Sequence, residues 1–289
     1  MLTELYCIID DFGKLLEKDL GEKKLLGSTK TKNIMTTTLS EIATIALFYH
    51  YSGYKNFKSY YEKHVKIYLK DEFPSAPSYS RMIELRQDIF WFLLLFVQAL
   101  AAQCSGISII DSTFLEVCLS NRRYRHKTFK GLAQSGKTSV KWFFGFKLHM
   151  IINHFGQIVS FYITPGNVAD NDKNVLQQLT QDVYGKLIAD KGYLGRFQDL
   201  YERGITLIHG IRSNMKNKLM PLFDKFLLRQ RGIIETVFGI LKADFDIEHS
   251  RHRSVKGFFI NIFTALAAYA IRPEKPSIDL NKAFLLNKC

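Results

Sequence analysis

Two hydrophobic periods divide the chain. From Thr38 to about residue 102 apolar residues recur at helical spacing, whereas from Gly106 onward they gather into short β-branched runs. Thr38-Leu-Ser-Glu41 fits a capping box ahead of an apolar run at 42–48, so a helix is predicted to start there and to break at Ser52-Gly53. Residues 55–69 interleave Phe57, Tyr60 and Tyr61 with Lys55, Lys58, Lys63 and Lys66, which predicts a helix with one core face and one cationic face. A turn at 73–77 follows, and Ser78 is a cap for a helix bearing Arg81, Glu84 and Arg86. The runs 89–102 and 258–271 are apolar all round but too short to span a bilayer, and they carry Gln98, Asn261 and Thr264, so they read as core helices. Ahead of all these, residues 1–32 read as an amphipathic segment followed, from Gly21 to Lys32, by a solvated connection.

The change of period near Cys104 and Ser105 predicts a boundary, with a helical region at 1–104 and a second domain at 105–289. Gly106-Ile-Ser-Ile-Ile-Asp111-Ser-Thr113 has the composition of a buried strand ending in a carboxylate. Residues 142–152 and 157–163 read as two more strands, joined by a turn at Asn153 to Gly156. Val175, Leu176, Leu179 and Val183 have helical spacing, and Asp170 and Asp172 before them suit caps or a supporting metal ligand. A strand ending at Asp190, a short helix from Arg196, a strand at 205–209 and a helix at 228–242 complete the order. Three strands in an antiparallel meander, then strands joined by helices and so able to lie parallel, describe an α/β domain. The predicted fold is a ribonuclease H-like mixed five-stranded sheet flanked by helices, with an N-terminal all-helical region. In it the first and fourth strands are neighbours, which puts Asp111 beside Asp190.

Composition adds a partner. Of 289 residues 47% are hydrophobic and 23% charged, which is ordinary, but the formal net charge of +13 is not. It points to a polyanion, nucleic acid before an anionic membrane, and no segment favours the membrane. Met1-Leu-Thr-Glu does not open a signal peptide, and Cys7, Cys104, Cys118 and Cys289 lack paired or metal-ligand spacing, so a reducing cytoplasm is the expected setting. Arg122, Arg123, Arg125, His126, Lys127, Lys130, Lys137 and Lys141 cluster in a stretch suited to nucleic-acid backbone. The helices of the N-terminal region, with their basic faces, are compatible with a helix-turn-helix DNA-binding region, and equally with a bundle that has a basic rim.

The acids carry the candidate chemistry. A strand-end aspartate is commonly a turn or cap residue, but a second one at Asp190 lets a metal bridge the two. Two-metal phosphoryl transfer calls for a third acid, and the candidate is Glu235. On an α-helix Arg231, Glu235 and Lys242 project within about 40° of one another. Ile233, Ile234, Val237, Phe238 and Leu241 cover the other side. The plainer alternative is an intrahelical Arg-Glu pair worth ~0.3 kcal/mol. Gly131-Leu-Ala-Gln-Ser-Gly136-Lys137-Thr138 matches a phosphate-loop pattern letter for letter. A phosphate loop needs a strand before it and a helix after it, and here basic residues precede and a strand-like run follows, so no nucleotide is expected. His249 to Arg253 alternates histidine and arginine without cysteine, a phosphate clamp rather than a metal site.

Together these residues resemble the DDE transposases of bacterial insertion sequences, over a stretch from about Leu39 to the C-terminus. The pieces, in order, are Ile-Ile-Asp111-Ser-Thr, Arg125-His-Lys-Thr-Phe-Lys-Gly131, Trp142-Phe-Phe-Gly-Phe-Lys-Leu-His149, Thr164-Pro-Gly-Asn167, Asp190-Lys-Gly-Tyr193, Arg231-x3-Glu235-x6-Lys242 and Ile247-Glu-His-Ser-Arg-His-Arg253. The resemblance implies a transposase that cleaves DNA at element ends and transfers the strand into a target. It implies Asp111, Asp190 and Glu235 as catalytic ligands of two Mg²⁺ ions, with Mn²⁺ able to substitute. The expected partners are double-stranded DNA, as terminal inverted repeats and target, and a second copy of the chain on that DNA, within the bacterial nucleoid. The expected DNA contacts are Arg125, His126, Lys127, Lys130, Lys137, Lys191, Arg231, Lys242, His249, Arg251, His252 and Arg253. The chain departs from the larger group at Leu228, where a tyrosine stands three positions before the arginine, and residues 211–225 leave no room for the β-rich insertion some relatives carry. A nuclease that cuts without joining, and an inactive DNA-binding descendant, are the rival readings.

Overall fold

Helix signals at the start of the chain are local, and most are met. In the computed structural model, which describes residues 1–20, 37–138, 141–210, 219–249 and 252–282, the chain forms two compact units. The first comprises Met1–Leu100, Leu241–Ile247 and His252–Ile271. Its α1 spans Leu2–Leu20 and α2 spans Leu39–Phe48. The predicted capping box is present: the Thr38 hydroxyl accepts from the Glu41 amide at 3.1 Å and the Glu41 carboxylate accepts from the Thr38 amide at 2.6 Å. Gly53 ends this stretch at φ +70°, a conformation costly for any residue with a Cβ. The predicted single helix at 55–69 is instead three pieces, α3 at Phe57–Tyr60, a π-helical turn at Tyr61–Val65 and α4 at Lys66–Tyr68. The wide turn buries Tyr60, Tyr61 and Val65 together.

Next, α5 (Tyr79–Asp88) starts at Ser78, whose hydroxyl accepts from the Arg81 amide at 3.4 Å. Its cationic face is smaller than the sequence indicates. Arg81 pairs with Glu84 at 2.8 Å, and the Arg86 guanidinium lies 3.8 Å from the centre of the Phe57 ring, where burial pulls its pKa down to about 10. Two apolar helices, α6 at Phe90–Ala99 and a C-terminal one at Val255–Ile271, complete the core of this unit, and His50 is locked within it, bonded to the Phe245 carbonyl at 2.6 Å and to the Thr264 hydroxyl at 2.8 Å. No helix among the described residues is long and apolar enough to cross a membrane. The connection from Gly21 to Lys32 lies outside the described residues, as does Cys289.

The second unit, Ala101–Ile240, Glu248–Arg251 and Arg272–Cys289, holds a mixed sheet. Its strands are β1 Ile107–Cys118, β2 Gln134–Lys137, β3 Trp142–Asn153, β4 Ile158–Pro165, β5 Gly185–Ala189 and β6 Ile205–His209. Their order is β2-β3-β1-β5-β6, with β4 also pairing β3. β1, β3 and β4 form the predicted antiparallel meander, and β5 lies parallel to both β1 and β6. This is the predicted ribonuclease H-like sheet with a sixth, short strand added. β2 pairs Trp142 to Gly145 and β4 pairs Phe146 to Ile152, so the two share the outer edge of β3. On one face Ile110, Ile151, Leu187 and Ala189 pack with Val175, Leu176 and Leu179 of α7 (Lys173–Leu179) and with Leu200 of α8 (Phe197–Tyr201).

The first strand differs from expectation in length. It does not stop at Asp111 but continues through Phe114, Leu115 and Val117, because β3 offers it a partner along the whole run from Ser108 to Cys118. Close approach of the two backbones depends on Gly145, where a Cβ would come within 2.0 Å of the Leu115 carbonyl oxygen.

Candidate active site

Sheet register brings the first two acids together. Ile109 of β1 is level with Ile188 of β5, and residues level on adjacent strands project to the same face. Asp111 and Asp190 each stand two residues further on, which returns both to that face at the same height. Asp190 follows the last residue of β5 and is exposed, while Asp111 is mostly buried. The Ser112 amide donates to Asp111 Oδ1 at 2.8 Å, and Arg231 Nη1 lies 3.5 Å from Oδ2. Desolvation outweighs these contacts and pushes the Asp111 pKa up to about 6, with the charges of Asp170 and Asp190 adding to the rise.

The third acid arrives on a helix that the sequence reads as continuous and the structure breaks. Helix α9 (Leu222–Arg229) ends in a 3-10 turn at Gln230–Gly232, and α10 (Ile233–Ala243) begins after it. Arg231 therefore sits in the turn and Glu235 in the first turn of α10. Their pairing survives the break, with Arg231 Nη2 3.1 Å from Glu235 Oε1. One guanidinium thus links Glu235, which is 60% exposed, to Asp111. The buried side of α10 is formed by Ile234, Val237, Phe238 and Leu241.

Asp170, which the sequence offers as a cap or a supporting metal ligand, lies in this neighbourhood together with Lys147 and Tyr193. On the opposite sheet face Ser112 is level with His149 and Phe114 with Lys147. There Asp170 Oδ1 accepts from the Ser112 hydroxyl at 2.7 Å and from Lys147 Nζ at 3.0 Å. Asp172, in contrast, is the cap that the sequence predicts, accepting from the amides of Asn174 and Val175. Tyr193 is buried, and its pKa is raised well above 10 by that burial and by the negative charges of Asp170, Asp111 and Asp190. Tyr193 belongs to the same short motif as Asp190 and Asp170 precedes a predicted helix, but only tertiary structure brings Lys147 to Asp170.

No group of three His, Cys, Asp or Glu among the described residues is arranged to hold a metal ion. The donor set nevertheless suits a hard divalent cation. Its ligands would be carboxylate oxygens, and Asp111, whose charged form burial disfavours, is a group whose charge such an ion would compensate. Asp111, Asp190 and Glu235 are the residues that would hold it.

The expected DNA contacts fall in several places. Arg125 closes a 3-10 turn at Ser120–Arg125, and it, Lys127, Lys130 and Lys137 are exposed. His126 is half-buried, stacked on Phe129 with ring centres 5.4 Å apart. Lys191 is exposed at the start of the 3-10 stretch Lys191–Arg196, next to Asp190. Lys242 is half-buried near the end of α10, His249 and His252 are half-buried, and Arg253 is exposed. Arg251 lies outside the described residues. Arg231 is placed directly on the acids. As for the phosphate-loop pattern, Gly136 and Lys137 lie in β2, paired with Phe143 and Trp142 of β3. Gly136 serves packing, since a Cβ there would come within 2.2 Å of the Gly166 carbonyl oxygen.

Residues 101–255, more than half of the chain, match the family model described as a transposase DDE domain. No curated protein is similar enough to the chain to count as a match. The matched stretch runs from the start of the sheet unit through α10 and includes Asp111, Asp190 and Glu235. By that match the chain belongs to the family of transposases with a DDE domain.

Proposed function

We propose that the protein is a DNA transposase that cuts DNA at insertion-sequence ends and joins the freed strand to a target. The observation that carries the proposal is the register that sets Asp111 and Asp190 level on one sheet face while Arg231 ties Glu235 to Asp111. Two Mg²⁺ ions, or Mn²⁺ in their place, would supply an activated water or 3′-hydroxyl and would stabilise the leaving oxygen. Asp111 is the fixed ligand, built into the middle of a paired strand, and Asp190 is level with it. Glu235 is the exposed acid, able to close the site from the helical side. The cations Arg125, His126, Lys127, Lys130, Lys137, Lys191, Arg231, Lys242, His249, Arg251, His252 and Arg253 hold phosphates of the duplex, and a net charge of +13 supports that role. Residues 105–289 carry the chemistry, and the helical region 1–104 contributes DNA contacts. Joining two ends requires two sites, so the protein works as a homodimer on its terminal inverted repeats and target, in the bacterial nucleoid and without a nucleotide.

The test is incubation of the purified protein with its flanking terminal repeats, a target plasmid and Mg²⁺. Nicks at the repeat ends and joined products are expected. Asp111→Asn, Asp190→Asn and Glu235→Gln should each abolish both while DNA affinity stays near wild type, because each removes metal-binding charge with little change of shape. Cleavage at a near wild-type rate by one variant removes that residue from the set, and cutting with no joined product would leave a nuclease.

A further inference from the structure

Arg231 makes two contacts that an ordinary helical ion pair does not combine. Its Nη2 reaches Glu235, four residues along the chain, while its Nη1 reaches Asp111, a residue of the central strand. A guanidinium is a planar fork with five donors, so it can bridge two carboxylates that belong to different elements. Its two contacts are on Asp111 Oδ2 and Glu235 Oε1, oxygens that a divalent ion shared by these acids would compete for. Arg231 is also held by a short 3-10 turn between two α-helices, a type of turn whose hydrogen bonds are poorer than those of an α-helix. Gly232 beside it has open space where a Cβ would stand. The fork is thus anchored at its tip by the acids and seated on a short 3-10 turn with an open side at Gly232.

We propose that Arg231 is the resident cation of the acid site before metal binds, and that a divalent ion and the guanidinium exchange there. The inference rests on the reading of Asp111 and Glu235 as metal ligands. It adds that metal entry and arginine release are one event. Two cations that need the same oxygens exclude each other, so each weakens the other by the same factor. While in place, Arg231 keeps two acids from facing each other uncompensated. Once displaced, it is a free cation beside the site, available to a phosphate of the DNA. Metal would in this way gate an arginine contact with the substrate.

The experiment uses the full-length chain without DNA. Binding of Mn²⁺ is measured by calorimetry for wild type, Arg231→Ala and Arg231→Lys at fixed ionic strength, with circular dichroism to verify folding. In parallel, the arginine side-chain Nε–H resonances are followed by NMR during titration with diamagnetic Mg²⁺, the Arg231 signal being assigned by its loss in Arg231→Lys. Arg231→Ala should bind Mn²⁺ about fivefold more tightly, the scale set by one partly exposed ion pair. The Arg231 signal should move to the position of a free guanidinium as Mg²⁺ saturates. Equal affinities, or tighter binding with a signal that Mg²⁺ leaves unmoved, would overturn the exchange and leave the metal reading intact. Failure of both wild type and Arg231→Ala to bind either ion would overturn the metal reading, and the exchange with it.

Discussion

Asp111 is a charged group built into a place that resists charge. Burial pushes its pKa up from the ordinary 3.8 to about 6, so the folded state holds the proton more firmly than the unfolded chain does. Folding stability should therefore fall as pH rises from about 4 to about 6 and stay lower above that, by about 3 kcal/mol at most. Asp111→Asn lacks this penalty. In metal-free buffer the variant should melt above wild type at pH 7.5, and the gap should close below pH 4, as measured by thermal melts across that range. A variant no more stable than wild type at pH 7.5 would mean that the surroundings of Asp111 already compensate its charge. The acid itself was legible in the sequence, since an aspartate after a β-branched run calls for a partner. Its depth was not, because the pairing of β1 with β3 and the contact with Arg231 both come from segments distant from it in the chain. Arg86 failed for the same kind of reason: helical spacing gives its face, but the Phe57 ring that covers it comes from a different helix.

At the scale of elements, the strands and their order were readable because alternation and turn residues are local signals, whereas the break between α9 and α10 was not. Arg231 and Glu235 are spaced for one continuous helix, and a 3-10 turn preserves their contact while changing the backbone between them. The same local logic explains why β2 went unseen: Gln134 to Lys137 is polar and contains glycine, and it becomes a strand only through its pairing with β3. Glycines there are spacers between backbones. Gly145→Ala would drive a methyl group into the Leu115 carbonyl, and since neither strand can retreat without losing rungs, we expect a loss of about 1–3 kcal/mol. Urea denaturation should show a lower midpoint with an unchanged slope. An unchanged midpoint would mean that β1 and β3 separate more easily than their twelve-residue lengths imply.

For the whole molecule, the surplus of positive charge is the property that binding should report. Lys137 is exposed at the end of β2, 5.7 Å from the centre of the Trp142 ring. Lys137→Ala should weaken binding to any duplex modestly and reduce the slope of log affinity against log salt by about one, measured by fluorescence anisotropy. An identical slope would take Lys137 out of the interface, and saturable ATP binding lost in the variant would restore the phosphate-loop reading. The change of period near residue 104 is visible in the sequence, but the inclusion of Leu241–Ile247 and His252–Ile271 with the first hundred residues depends on contacts far apart in sequence.

The long ladder between β1 and β3 has a consequence for time rather than for shape. Asp111 sits inside a strand bonded to β3 on one side from Ser108 to Cys118, and to β5 on the other at its start. Amides in such a position exchange with solvent deuterium only when the unit opens as a whole. Glu235 lies in the first turn of a helix, just beyond a 3-10 turn, where opening is local and cheap. In a hydrogen-exchange experiment the peptide covering residues 109–114 should be among the last to label, and the peptide covering 230–235 should label orders of magnitude sooner. Equal protection of the two would contradict this. If they differ, one carboxylate keeps its address for as long as the fold lasts, while another is re-seated many times within that life, and the slow half acts as the template on which the fast half is selected.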